Sequence, residues 1–269
     1  NGGESGFGAN GAANENRRIW SEDPWGNTAV CWDTPSNDAS QNADGGWNSQ
    51  NVAIDYFQFH RHTTWLKRPS GGNGSTYLGL RSNDGVDQRT GGNRTTNPYF
   101  YARGWPASND TWYLWVGHTW PYKSGTGDDH PETGIYDLNG NKFSGGRDYV
   151  YRDGATYTMH RTYLFYSSDT NTSHRWFEPR IDIIDGTEPS ITDLLTNAHN
   201  VWKDTAGGND CTPINFPVYN DTEEAVQFDG NNEYFRTKWS REKFGNNFSI
   251  SFVYRFTGST GDTYRALIG

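Results

Sequence analysis

Two short stretches concentrate the side chains able to bind ions or move protons. Asp128, Asp129, His130 and Glu132 sit together in one polar segment, and Asp182, Asp185 and Glu188 in another. Carboxylate-rich sets suit calcium, which takes roughly six to eight oxygen ligands. The first set, holding an imidazole, also suits acid–base work. Each has a plainer reading: the first as a solvated acidic loop, the second as an Asp185-Gly186 turn before a helical turn opening at Glu188-Pro189-Ser190. His60 and His62 stand two apart on one strand face, but no third metal ligand is identifiable beside them. No GxSxG, HExxH, Walker or dinucleotide-binding pattern occurs. A glycosidase needs two carboxylates about 5–10 Å apart across a cleft. With 32 acidic residues such a pair can arise by chance, and nothing singles one out. No catalytic residue is assigned, and the expectation is a protein that is not an enzyme.

The aromatic residues offer a better lead. Trp105, Trp112, Trp115, Trp120 and Tyr122 crowd around one strand and its flanking loops. Apolar faces of sugar rings stack on such rings while nearby polar groups take the hydroxyls. The expected carbohydrate-binding set is therefore Trp105, Trp120, Tyr122, Asp128, Asp129 and His130. It requires the segment after Trp105 to fold back so that Trp105 and Trp120 meet. The expected calcium set is Asp182, Asp185 and Glu188. The alternative for the rings is a core short of aliphatic side chains. Trp112 and Trp115 fall on opposite faces in mid-strand, so at least one of them is core.

The elements that must position these residues are strands. Residues 158–191 organise the chain: Met159, Arg161, Tyr163 and Phe165 alternate with His160, Thr162, Leu164 and Tyr166, the period of a strand. A polar cluster at 167–173 reads as a turn. A second strand at 176–184 contains Pro179, which removes a ladder donor and predicts an edge position or a bulge. The pair is expected to form an antiparallel hairpin. Further strands are expected at 55–67, 76–81, 111–120 and 148–151. The 55–67 strand sets Phe57, Phe59, Arg61, Thr63, Trp65 and Lys67 on one face. Roughly eight strands with long loops predict an all-β, jelly-roll-like antiparallel β-sandwich.

Composition supports this and narrows the partners. Of 269 residues, 32% are hydrophobic but 16% are aromatic, with 12 Trp, 16 Tyr and 14 Phe. That aromatic share argues against a disordered chain. A net charge of −9 lacks the basic face that nucleic acid requires. No apolar run reaches the length of a membrane span, and no signal-peptide core is visible at the start. Cys31 and Cys211 are too few for a disulfide framework or a zinc site; they are expected to be reduced if assembly is cytoplasmic. The domain map is a flexible or partner-held segment at 1–18, the jelly roll at 19–195, a linker at 196–217, and an incomplete second β-sandwich at 218–269. Its strongest strand is 247–256, where Phe248, Ile250, Phe252, Tyr254 and Phe256 alternate.

Two resemblances follow. Phe228-Asp229-Gly230, Tyr234, Phe248 to Val253 and Arg265 to Ile268 resemble the opening of a laminin-G/concanavalin A-like lectin domain. Asp44 to Trp47, Thr64 to Arg68, Tyr77 to Leu80, Val116 to Pro121, His130 to Tyr136 and Tyr163 to Leu195 resemble jelly-roll modules of bacteriophage tail-fibre and adhesion proteins. The second resemblance implies a non-enzymatic component of the virion surface. Its implied partners are a host cell-surface glycan and other virion proteins, and its implied assembly is a homotrimer. The alternative is a carbohydrate-binding ancillary segment of a secreted carbohydrate-active enzyme or bacterial adhesin.

Overall fold

The computed structural model describes residues 6–35 and 39–200, together with four short strands further on. In chain order the first strands are β1 (Phe7–Ala9), β2 (Arg17–Glu22), β3 (Thr28–Pro35), β4 (Ala43–Ser49) and β5 (Val52–Ala53). They are followed by β6 (His60–Lys67), β7 (Ser75–Arg81), β8 (Val86–Gln88), β9 (Arg94–Thr95) and β10 (Tyr99–Gly104). Then come β11 (Trp112–Trp120), β12 (Gly134–Tyr136), β13 (Lys142–Ser144) and β14 (Tyr149–Tyr151). Two long strands, β15 (Tyr157–Phe165) and β16 (Ser173–Ile183), precede a short helix, α1 (Ile191–Thr196). Ser190 caps that helix by accepting the Asp193 N–H, and Asn197 ends it in the left-handed region at φ 61°.

These strands form two sheets, the expected all-β sandwich. The first has the order β1-β4-β15-β7-β10, with β5 also on β15. The second runs β2-β3-β16-β6-β11-β14-β8-β9, with β12 and β13 attached beside β11. Alternation sends one set of side chains from each sheet into the space between them. Trp47, Leu78, Leu80 and Leu164 come from the first sheet, and Trp32, Leu66, Trp115 and Trp176 from the second. The second sheet has a further core on its other face. There Cys31, Trp65, Trp112, Leu114, Val116 and Phe177 are covered by Leu194, Leu195 and Trp25. The Trp25 indole donates to the Leu195 carbonyl at 2.8 Å, tying the cover in place. Trp112 and Trp115 are therefore both core, one in each layer. The Cys31 thiol is free, and burial pushes it up to about 12.

Two sequence expectations are corrected. The 55–67 strand begins only at His60, because 54–59 turns away as a loop carrying Tyr56, Phe57 and Phe59. The 158–184 hairpin does not form. β15 pairs with β4 and β7 in the first sheet, whereas β16 pairs with β3 and β6 in the second. The intervening turn crosses the end of the sandwich, where the Asp44 carboxylate accepts the Ser167 N–H at 2.8 Å. Crossing lets Leu164 and Trp176 face each other across the core, which two strands of one hairpin cannot do. Pro179 does mark a bulge: the register slips between Phe177 and Arg180, and Glu178 takes φ 49°. That strand is internal rather than at an edge.

The chain divides into two units, residues 1–200 and 201–269. Within the second, Cys211–Ile214 pairs with Tyr234–Thr237, and Val218–Asn220 with Ala225–Gln227. The lectin-like strand expected at 247–256 lies outside the described residues. Among the described residues no helix is long and apolar enough to cross a membrane.

Several core positions are imidazoles. His160 accepts the Trp47 indole N–H at Nδ1 (3.3 Å), which leaves Nε2–H to donate to the Thr63 carbonyl at 3.0 Å. It is neutral, and burial lowers it to about 4. Burial likewise lowers His60, His62 and His174. A histidine held neutral in the folded state stabilises the fold above its unfolded value near 6.5, and that stability is lost as pH falls through the window down to the folded value. For His160 the full loss is on the order of 3 kcal/mol. Asp148, pushed up to about 6 by burial, works in the opposite direction, but it is one group against six, since burial also lowers His118 and His130. The urea midpoint is therefore expected to fall steadily from pH 7 to pH 4.5; an unchanged midpoint would show that these rings are not buried neutral.

Candidate functional site

The aromatic-acidic loop expected around Trp120 exists in part. Trp120 ends β11, and Tyr122 follows it in the loop that the Tyr56 carbonyl anchors by accepting the Tyr122 N–H at 2.8 Å. Tyr122 packs edge-on to Tyr56 and Phe57, centroids 5.7 and 6.0 Å apart. Phe57 is 56% exposed and lies in the 54–59 loop, not in the expected strand. Trp105 is not part of this corner. It lies against Tyr113 and Trp115, nearer the start of β11, with the Arg68 guanidinium 5.5 Å from its ring. Five residues of strand separate Trp115 from Trp120, about 17 Å at the rise of a β-strand.

Trp120 itself is built into the structure. Phe59 packs on it at 4.6 Å, the Arg89 guanidinium lies 4.2 Å over it, and its indole N–H donates to Asp148 Oδ2 at 3.2 Å. Asp148 is fully buried and organises this corner. It also accepts the His130 N–H at 2.6 Å, the His118 N–H at 3.1 Å and the Thr133 hydroxyl at 2.6 Å. Burial pushes its carboxyl up to about 6 against these hydrogen bonds, which lower it. Asp129 accepts the Asp148 N–H at 2.7 Å, while Asp128 is exposed and offers its carbonyl to Arg89. His130 is half-buried, and burial lowers its imidazole.

The three residues of the expected calcium set are occupied separately. Asp182 pairs with Arg61 at 3.1 Å and Arg180 at 2.8 Å. Glu188 accepts the Asp185 and Gly186 N–H groups, and Asp185 accepts the Thr187 N–H and hydroxyl. Asp185 and Glu188 thus close their own turn.

The outer face of the first sheet carries a further candidate surface. Opposite the buried His160, Thr162 and Leu164, β15 turns Arg161, Tyr163 and Phe165 outward. Across the sheet, Gly79 stands between Arg161 and Tyr99, while Tyr163 is flanked by Tyr77 and Gly46. A Cβ on Gly79 would lie 2.4 Å from the Pro98 carbonyl and 2.6 Å from the Tyr99 ring. The bare glycine lets Arg161 reach across the strand. Its guanidinium donates to the Tyr163 hydroxyl (2.8 Å), the Tyr99 hydroxyl (2.7 Å), Asn97 Oδ1 (2.9 Å) and the Leu80 carbonyl (3.1 Å). The Tyr163 hydroxyl passes the chain on to Asn48.

Arg161 is only 7% exposed, and among the described residues no carboxylate pairs with it. Tyr77 lies edge-on to Tyr99 at 4.8 Å and to Phe165 at 6.3 Å, and Phe165 to Tyr166 at 4.7 Å. Tyr166 is 52% exposed. Burial raises the Tyr77 and Tyr99 hydroxyls, so both stay neutral hydrogen-bonding groups. The signal available in sequence was the alternation of Arg161, Tyr163 and Phe165 together with Tyr77-x-Gly79; what it lacked was the knowledge that these strands are neighbours.

No family model matches the chain, and no curated protein is significantly similar to it. Among solved structures it is similar to the CBM22-1 xylan-binding domain of Paenibacillus barcinonensis Xyn10C, at 14% identity and a TM-score of 0.35, over 70% of this chain and 91% of that one. A CBM4 module matches at 11% identity and a TM-score of 0.34, over 66% and 94%. An exo-beta-agarase matches at 10% identity and a TM-score of 0.38, over 71% of this chain and 24% of its own. The similarity to these carbohydrate-binding β-sandwich modules is distant.

The packing of Trp120 generates a stability prediction. Trp120→Ala removes a half-buried ring, its contact with Phe59 and a hydrogen bond to a buried carboxylate, and should cost about 2–3 kcal/mol in urea unfolding. Phe57→Ala, at an exposed ring, should stay within about 0.5 kcal/mol. Equal effects of the two would mean that Trp120 is not a structural brace.

Proposed function

We propose that this chain is a non-catalytic glycan-binding module whose ligand lies across the outer face of the first sheet. The observation that carries the reading is Arg161: a nearly buried guanidinium, set among tyrosine hydroxyls, with no carboxylate partner among the described residues, and bordered by the rings of Tyr77, Tyr99 and Phe165. Rings give a sugar its stacking surface, and the hydroxyl, amide and guanidinium groups answer its hydroxyls. A guanidinium without a counter-ion also favours glycans bearing carboxylate or sulfate groups over neutral ones.

The competing placement is the loop corner expected from sequence, with Tyr122 beside Tyr56 and the exposed Phe57. Affinity electrophoresis against a panel of neutral and acidic polysaccharides tests both. Tyr77→Ala and Tyr166→Ala should each weaken retention by about tenfold, near 1.4 kcal/mol, while Phe57→Ala and Tyr122→Ala leave it unchanged. The reverse pattern would move the site to the corner, and retention by no polysaccharide would overturn the function.

The setting is the finer part of the proposal. The resemblance of six segments to tail-fibre modules supports a virion surface component, trimeric and docked on a host glycan beside other virion proteins. The second setting is an ancillary segment that holds a carbohydrate-active enzyme or adhesin to its polysaccharide. Sedimentation equilibrium separates them: a stable trimer is the expectation for the virion setting, and a monomer favours the ancillary one.

A further inference from the structure

The loop corner holds a second feature that glycan binding does not use. His118 is fully buried on the outer face of the second sheet, directly across from Arg61 of β6. Its Nδ1 is 2.7 Å from the Thr133 hydroxyl oxygen. That hydroxyl has one proton and gives it to Asp148 Oδ1 at 2.6 Å, so its oxygen must accept from His118. The tautomer follows: Nδ1 carries the hydrogen and Nε2 keeps a bare lone pair. Nε2 is buried and has no hydrogen-bond partner.

We propose that His118, His130 and Glu132 form a binding site for a divalent transition-metal ion of the zinc class. One ligand atom from each residue lies within 4.8 Å of the others, the one such grouping among the described residues. The two imidazole rings are already 4.2 Å apart, centre to centre. Donors around a tetrahedral zinc stand about 3.3 Å from one another, so closure needs only a modest approach. Glu132 can supply it: its side chain is 44% exposed and, among the described residues, is paired with Arg61 alone, at 4.0 Å. Arg61 is in turn occupied by Asp182 and the Pro189 carbonyl, so Glu132 can leave it without stranding a charge.

The donor set and its surroundings choose the ion. Two neutral imidazoles and one carboxylate suit zinc, cobalt or nickel, whereas calcium wants roughly six or more oxygens. Metal-bound histidines are commonly oriented by a carboxylate behind them. Here the Asp148 carboxylate fixes His118 through Thr133 and fixes the His130 backbone directly. Phe59 packs on both imidazoles, 5.4 Å from each, which limits water at the buried side.

The test uses the whole chain stripped with EDTA and titrated with Zn2+, Co2+ or Ca2+. Expected are one Zn2+ per chain with a Kd below about 10 µM, a raised unfolding temperature, and the visible absorption of tetrahedral Co2+. His118→Asn risks misfolding, so the accessible ligands are varied instead. His130→Asn and Glu132→Gln should each weaken Zn2+ by about tenfold or more while leaving metal-free unfolding unchanged. The proposal is overturned by absence of stoichiometric Zn2+ uptake, by uptake indifferent to both substitutions, or by Ca2+ displacing Zn2+ from the site.

Discussion

The indole of Trp47 is the point at which the two sheets are joined. It lies in β4 of the first sheet and meets Trp32 and Trp176 of the second, with centroids 5.4 and 5.6 Å apart. Phe7 closes one side and His160 stacks beside it. A chain with few aliphatic side chains fills its interior with rings, and tryptophans bring an N–H into the core with them. Trp47 finds its acceptor in a neutral imidazole, which then satisfies the Thr63 carbonyl across the sandwich. Buried histidines are thus a consequence of an aromatic core, because an imidazole can accept from one ring and donate to a carbonyl at once.

The two sheets are not equivalent, and the proposed glycan site rests on the difference. The central strands of the second sheet, β6 and β11, are buried on both faces, since Trp25, Leu194 and Leu195 cover what would otherwise face solvent. The first sheet has no such cover from the described residues. Its outer face carries Arg161 and Tyr163 beneath the partly exposed rings of Tyr77 and Tyr99, and Gly46 and Gly79 keep the floor between them low. At Gly46 the backbone sits at φ 113°, and a Cβ would meet the Thr162 carbonyl at 2.1 Å. Both conformation and space therefore demand glycine there.

The corner around Asp148 shows a different use of polar residues. One buried carboxylate gathers two backbone N–H groups, a hydroxyl and an indole from two segments, the end of β11 and the loop at 130–133. Burying it is unfavourable in isolation, and four hydrogen bonds offset that cost. In return β11, the loop after it and the start of β12 are held in one arrangement. This is why Trp120 serves as a brace, although its loop-end position and acidic neighbours suggested a free ring.

The sequence by itself determined the fold class and the facing of side chains. Alternation in residues 112–119 separated Trp112, Leu114 and Val116 from Tyr113 and Trp115, and the structure places these sets in its two cores. Pro179 announced a bulge because a missing N–H breaks a ladder wherever the strand lies. What alternation cannot contain is the identity of a strand's neighbours, which depends on burial summed over distant segments. Hence β15 and β16 looked like a hairpin but went to opposite sheets. Hence also Trp105 and Trp120, close in sequence, settled near different parts of one strand. The Arg161 surface depends on three strands drawn from residues 75–81, 99–104 and 157–165, and His118 meets Glu132 only because a loop returns over β11. Both arrangements are long-range contacts, and only the tertiary structure decides those.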